Sequence, residues 1–164
     1  KNIPPIMDGD KIKFAYLKTP NPLGETVIAT ADYLPREFGL DELIDNLPDD
    51  LEVFDFNNST NSPMNLNLPD SFKKFKNLGT FHVRNALNEV PEVLKGMNSL
   101  DFIALPDSPN IHSVPEWIAD LPNLLAITFF GGDQDLEVGP RVRQRMLPKK
   151  EGGNGLHVLW KDGD

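Results

Sequence analysis

The 164 residues are 39% hydrophobic, enough for one domain with a core of its own. Twenty-five acidic against sixteen basic residues leave a net charge of −9, which opposes non-specific association with nucleic acid or an anionic membrane surface. There is no cysteine, which excludes a disulfide framework, a thiolate nucleophile and a cysteine-ligated metal, and no apolar run approaches the roughly 18 residues of a spanning helix, so membrane insertion is not expected.

The sequence opens on Lys1 with no apolar stretch behind it. It reads as a trimmed or mature chain with any targeting segment outside it, and leaves open whether the protein is cytoplasmic, secreted or surface-attached. "KIKFAYLKT" then alternates Ile12, Phe14 and Tyr16 with Lys11, Lys13 and Ala15. "ETVIATADY" is β-branched, and the "PNPLG" between them is a turn signal, so the pair predicts a hairpin. "GLDELIDNLPDDL" places Leu40, Leu43, Ile44 and Leu47 on one helical face, with Pro48 as its stop.

From Leu51 the chain begins to repeat. "LEVFDFNNS", "LGTFHVRNA", "LDFIALPDS" and "LLAITFFGG" open at Leu51, Leu78, Leu100 and Leu124, spaced by 27, 22 and 24 residues, each with apolar residues at relative positions 1, 4 and 6. The segments between them share a second pattern: an apolar residue, Pro, then apolar residues at steps of three. The examples are Leu68, Phe72, Phe75, Leu78; Val90, Leu94, Met97, Leu100; and Val114, Ile118, Leu121, Leu124. Alternation suits a short strand with one buried face. Steps of three suit a 3₁₀ turn, where i and i+3 share a side, and Pro at its start loses no hydrogen bond. Neither half can bury its apolar side alone, so stacked copies would share one continuous core.

These motifs, over roughly Leu47 to Phe130, resemble the leucine-rich repeat family, whose short form reads L-x-x-L-x-L-x-x-N-x-L followed by x-x-L-P-x-x-L-x-x-L-x-x-L. The resemblance implies an α/β solenoid with parallel strands on the concave side and short helices or 3₁₀ turns on the convex side. Residues 1–46 would cap one end (hairpin and helix), 47–130 would form the repeats, and 131–164 would cap the other, both caps nonrepeating. The corners are expected to be irregular and the asparagine ladder incomplete. Asn85 to Pro91 fits N-x-L-x-x-L-P one residue early, Pro109 stands where an Asn would be, and Gly131-Gly132 has no recognisable continuation.

In the C-terminal segment, "VGPRVRQRMLPKK" predicts a short helix from Pro140 that ends at Pro148. "GLHVLWKDG" predicts a last strand extending or covering the sheet, with Trp160 as cap core. From Arg141 to Lys150 there are five basic residues and no acid. Arg141, Arg143 and Arg145 are thus a secondary basic patch, read as a solvated face, a site for an acidic partner, or a surface packed on the chain's own acids.

The family geometry implies exposed columns on the concave face: Val53, Thr80, Phe102, Ala126; Asp55, His82, Ala104, Thr128; and Asn57, Arg84, Pro106, Phe130, with Asn58, Asn85, Asp107 and Gly131 beyond them. A polar end (Asp55, Asn57, His82, Arg84) thus adjoins an apolar end around Phe102 and Phe130, a pattern common in protein-binding surfaces. The alternative is that the C-terminal segment covers both phenylalanines. Asp55, His82 and Arg84 read as a surface ion pair rather than catalytic machinery, because no nucleophile or enclosing pocket accompanies them. The three histidines lack metal-site spacing, "GGDQDLE" lacks a calcium-loop pattern, and no phosphate loop occurs, so no metal or cofactor is expected. The expected function is non-catalytic binding of a protein or peptide on the concave face; the alternatives are the recognition part of a larger enzyme or effector, or a structural assembly component.

Overall fold

A computed structural model of the protein describes residues 6–8, 11–18, 25–30, 44–45, 47, 49–58, 65–132 and 134–160. Eight strands form one sheet in the order β1-β2-β3-β4-β5-β6-β8-β10. They are β1 (Ile6–Asp8), β2 (Lys11–Lys18), β3 (Glu25–Thr30), β4 (Val53–Asn57), β5 (Thr80–Arg84), β6 (Phe102–Ala104), β8 (Ala126–Thr128) and β10 (His157–Leu159). A second, two-stranded sheet pairs β7 (Ser113–Val114) with β9 (Glu137–Val138) in parallel.

The expected hairpin is present as antiparallel β2 and β3, in register from Phe14↔Ala29 to Lys18↔Glu25. It does more than cap the first repeat. β3 pairs in parallel with β4, from Thr26↔Val53 to Thr30↔Asn57, and joins the same ladder. Beyond it β4–β5, β5–β6, β6–β8 and β8–β10 are also parallel, which makes five parallel junctions. One register runs through the last four, Phe54↔Phe81↔Ile103↔Ile127↔Val158, and all five side chains are buried. Of the helix expected over Leu40–Leu47, Ile44 and Asp45 are helical, and Ile44 and Leu47 are buried; Leu40 and Leu43 lie outside the described residues.

The steps of three in the sequence have a direct hydrogen-bonding counterpart. 3₁₀ turns at Asp70–Lys74, Glu92–Leu94 and Glu116–Asp120 follow Pro69, Pro91 and Pro115, each with extended backbone. In each, the proline carbonyl accepts from the N–H three residues on, at Phe72, Leu94 and Ile118, with N···O distances of 3.0, 3.1 and 3.1 Å. Those residues accept in turn from Phe75, Met97 and Leu121, and these from Leu78, Leu100 and Leu124. The apolar residues therefore recur at the spacing of the hydrogen bonds and all fall on one side. Phe54, Phe72 and Phe81 pack where strand meets turn, edge-to-face between Phe54 and Phe72 at 5.1 Å and stacked between Phe54 and Phe81 at 5.8 Å.

The C-terminal segment follows the same path as the units before it, although its sequence does not repeat. β9 lies beside β7, Pro140 opens helix α1 (Pro140–Met146), and β10 returns beside β8. Here the apolar step is four rather than three, at Val138, Val142 and Met146, which suits an α-helix and hides the unit from a repeat pattern built on steps of three. Trp160 is partly buried against the core.

Candidate functional site

The sheet's other face, opposite the phenylalanine core, carries three columns. One runs Val53, Thr80, Phe102, Ala126, His157, and a second runs Asp55, His82, Ala104, Thr128, Leu159. The third holds Asn57 opposite Arg84, with Pro106 and Phe130 just past the ends of β6 and β8. Three residues expected to be exposed on this face are buried: Val53, Ala104 and Thr128. Ala104 lies between His82 and Thr128 at strand spacings of about 4.8 Å, so the larger side chains on either side shade its methyl from solvent.

The residues placed beyond the columns do not extend the face either. Asn85, Asp107 and Gly131, equivalent in the three successive units, have φ of 56°, 53° and 86° and turn the chain out of its strand. Asn, Asp and Gly are the residues that accept this left-handed backbone. Asn58 is fully buried; its Nδ2 donates to the Asn85 carbonyl at 2.9 Å, while Asn85 Nδ2 donates to the Asn58 carbonyl at 3.2 Å. The polar ladder then changes residue type. Ser108 Oγ donates to the Pro106 carbonyl at 3.2 Å, and buried Gln134 donates to the Ser108 carbonyl at 3.0 Å.

At the polar end of the face the side chains are tied to one another. His82 Nδ1 lies 3.0 Å from Asp55 Oδ1, a cross-strand pair about a third exposed on each side. The hydrogen bond to Asp55 holds the imidazole above its ordinary pKa of 6.5, outweighing the opposing effect of partial burial and of Arg84. Arg84 donates through Nε to Asp107 at 2.5 Å and through Nη1 to Asn57 at 3.1 Å. Asp55, Asn57, His82 and Arg84 are thus brought together, as two adjoining pairs rather than one cluster.

Phe102 and Phe130 are each 36% exposed. They wall an open depression of about 550 Å³ with Ala104 and Thr128 in its lining, His82 at one end and His157 with Leu159 at the other. Of the two fates foreseen for the phenylalanines, the described part of the C-terminal segment extends the sheet edge through β10 instead of folding over them. His157 and Leu159 did not figure among the expected face residues. The signal was present in "GLHVLW", where they alternate with buried Leu156 and Val158.

The three arginines of α1 are engaged inside the chain. Arg141 pairs with Asp120, and its backbone N–H donates to Glu116 Oε2 at 3.3 Å. Arg143 Nε donates to the Val138 carbonyl at 2.7 Å. Arg145 reaches the carbonyls of Ala119 and Leu121 and, through Nε, Asn154 Oδ1 at 2.9 Å. Arg141 and Arg145 fasten α1 to the 116–121 turn, while Arg143 bonds back to the strand just before its own helix. No helix among the described residues is long and apolar enough to cross a membrane. Comparison with protein-family models and with curated proteins returned no match.

Proposed function

We propose that the chain is a short leucine-rich repeat solenoid that binds a protein or peptide, without catalysis, on the open face of its parallel sheet. The fold reading is supported by the shared register of β4, β5, β6, β8 and β10 and by the Pro-initiated 3₁₀ turns that return each strand to the same side. The observation that carries the functional reading is the half-open depression between Phe102 and Phe130, beside a polar end whose side chains already hold one another in place. Two aromatic anchors on a rigid sheet present apolar area at little entropic cost, and preset polar neighbours give register. His82 and Asp55 sit on an open surface, where a reacting group would compete with bulk water.

Five parallel junctions at about 4.8 Å each give a platform about 24 Å across. That width suits a peptide or loop, and comes close to the roughly 800 Å² per partner of a standard interface only with help from the rim. The test is affinity purification of partners followed by alanine substitution. Phe102→Ala or Phe130→Ala is expected to weaken binding of a captured partner by about 2 kcal/mol or more, as central anchors do. Unchanged affinity in both, with loss on substituting Arg141 and Arg145, would move the site to α1.

A further inference from the structure

We propose that His82 is the polar contact of the depression: its Nε2–H donates a hydrogen bond to a carbonyl oxygen of the peptide whose apolar side chain sits between Phe102 and Phe130, so that binding is stronger in acid than in alkali. This rests on the reading of the open face as a binding surface. It adds which group the face recognises beside the apolar side chain, and what controls that recognition.

The geometry of the ring carries it. The depression is apolar along Phe102, Ala104, Pro106 and Phe130, with His82 lining it at the β5 end. On the opposite side of His82, Asp55 of β4 lies 3.0 Å from Nδ1. A carboxylate only accepts, so the proton of this contact sits on Nδ1. With Nδ1 turned toward β4, the Cδ2–Nε2 edge of the ring is left toward β6 and the depression, and Nε2 has no partner among the described residues. His157 lines the far end on β10, three strand spacings or about 14 Å away.

The charged groups about His82 are Asp55 on β4 and Arg84 on its own strand, and Arg84 is itself held by Asp107 and Asn57. From β6 and β8 the lining brings Phe102, Ala104, Ala126 and Thr128, none of which titrates. Asp55 therefore sets the protonation of the ring, and the imidazolium persists above the ordinary 6.5. In that state Nε2–H is a donor at the end of an apolar recess. A peptide that seats a side chain in the recess brings its own backbone carbonyls to the rim, where one can accept. Asp55 already balances the imidazolium, so the contact calls for an acceptor rather than for a net charge. When the ring loses a proton, Nδ1 keeps its hydrogen for Asp55, and Nε2 becomes an acceptor facing an acceptor. The hydrogen bond is then lost, and affinity falls as pH rises through the His82 midpoint. A side chain that merely covered the ring would act the other way, because burial favours neutral imidazole. The sign of the pH dependence separates the two.

The full chain, ¹⁵N-labelled, would be titrated by NMR at about pH 5.5 and about pH 9 with two uncharged, acetylated and amidated tripeptides, Ala-Phe-Ala and Ala-Ala-Ala. Ala-Phe-Ala is expected to shift the amides of Phe102, Thr128 and Phe130 and to bind at least about threefold tighter at the lower pH. By reciprocity the bound peptide should raise the His82 midpoint. His82→Gln, which keeps an N–H donor that does not titrate, should bind about equally at both pH values, whereas His157→Gln should keep the ratio. Equal affinity at both pH values in the unsubstituted chain, tighter binding at the higher pH, or a ratio that survives His82→Gln would refute the role of His82 while the face remains a binding surface. Ala-Ala-Ala binding as strongly as Ala-Phe-Ala would show that no side chain is seated, and would overturn the inference too. Shifts confined to other residues, or none with either peptide, would overturn both the inference and the reading beneath it.

Discussion

At the scale of single residues, the Asp55–His82 pair ties the face to pH. The folded imidazole titrates above 6.5 because Asp55 stabilises its protonated form. The protonated pair therefore contributes stability that is complete below the unfolded value of 6.5 and is lost as pH rises through the higher folded value. An NMR titration should place the His82 midpoint above 6.5, and Asp55→Asn should bring it down and flatten the stability loss on the alkaline side. A midpoint unmoved by Asp55→Asn would show that another group sets it. Gly131 is a second sensitive point. Its φ is 86°, and a Cβ there would overlap the Asp107 carboxylate that holds Arg84. Gly131→Ala should cost about 1–2 kcal/mol from the left-handed backbone alone. It should also displace Asp107, which a change in the Arg84 side-chain resonances would report; a neutral effect on both would contradict the corner geometry.

At the scale of elements, strands and turns were legible for one reason: each apolar position is fixed by a backbone hydrogen-bond period. Alternation gave Phe54, Phe81, Ile103 and Ile127, and steps of three gave Phe72, Leu94 and Ile118, all buried. The corners were less legible because the left-handed residue is Asn in one unit, Asp in the next and Gly in the third, which share backbone tolerance but no side chain. α1 was readable as a helix, yet not as the turn of a further unit, since its step is four. The same register separates two substitutions. Leu100 is fully buried at the end of its 3₁₀ run, so Leu100→Ala should cost about 2–5 kcal/mol. Lys95 is exposed at the end of the outer turn, and Lys95→Ala should cost less than about 0.5 kcal/mol. Equal losses on urea titration would contradict this packing.

At the scale of the whole molecule, contacts run chiefly between adjacent strands and adjacent turns, an arrangement that bears on whether the fold comes apart in pieces. Buried residues from Ile44 to Val158 form one continuous cluster, with the four-phenylalanine group of Phe54, Phe72, Phe75 and Phe81 toward one end and Val138, Val142 and Val158 toward the other. Leu100 lies between these groups. Arg141 and Arg145 of α1 bind this last segment to Asp120 and to the carbonyls of Ala119 and Leu121, which raises the cost of fraying from that end. A core this small gains little when one part alone stays folded, because the remnant would expose the apolar flank that its lost neighbour had covered. Unfolding should therefore be a single transition. Trp117 and Trp160 report the C-terminal half by fluorescence, and amide exchange at Phe81 and Val83 reports the units before Leu100. In the Leu100→Ala protein the two signals should move to lower urea together, by the same free energy. If the tryptophans lose structure while Phe81 and Val83 stay protected, the units are separable, and the face spanning β5 to β10 could then be opened from its C-terminal end without unfolding the rest.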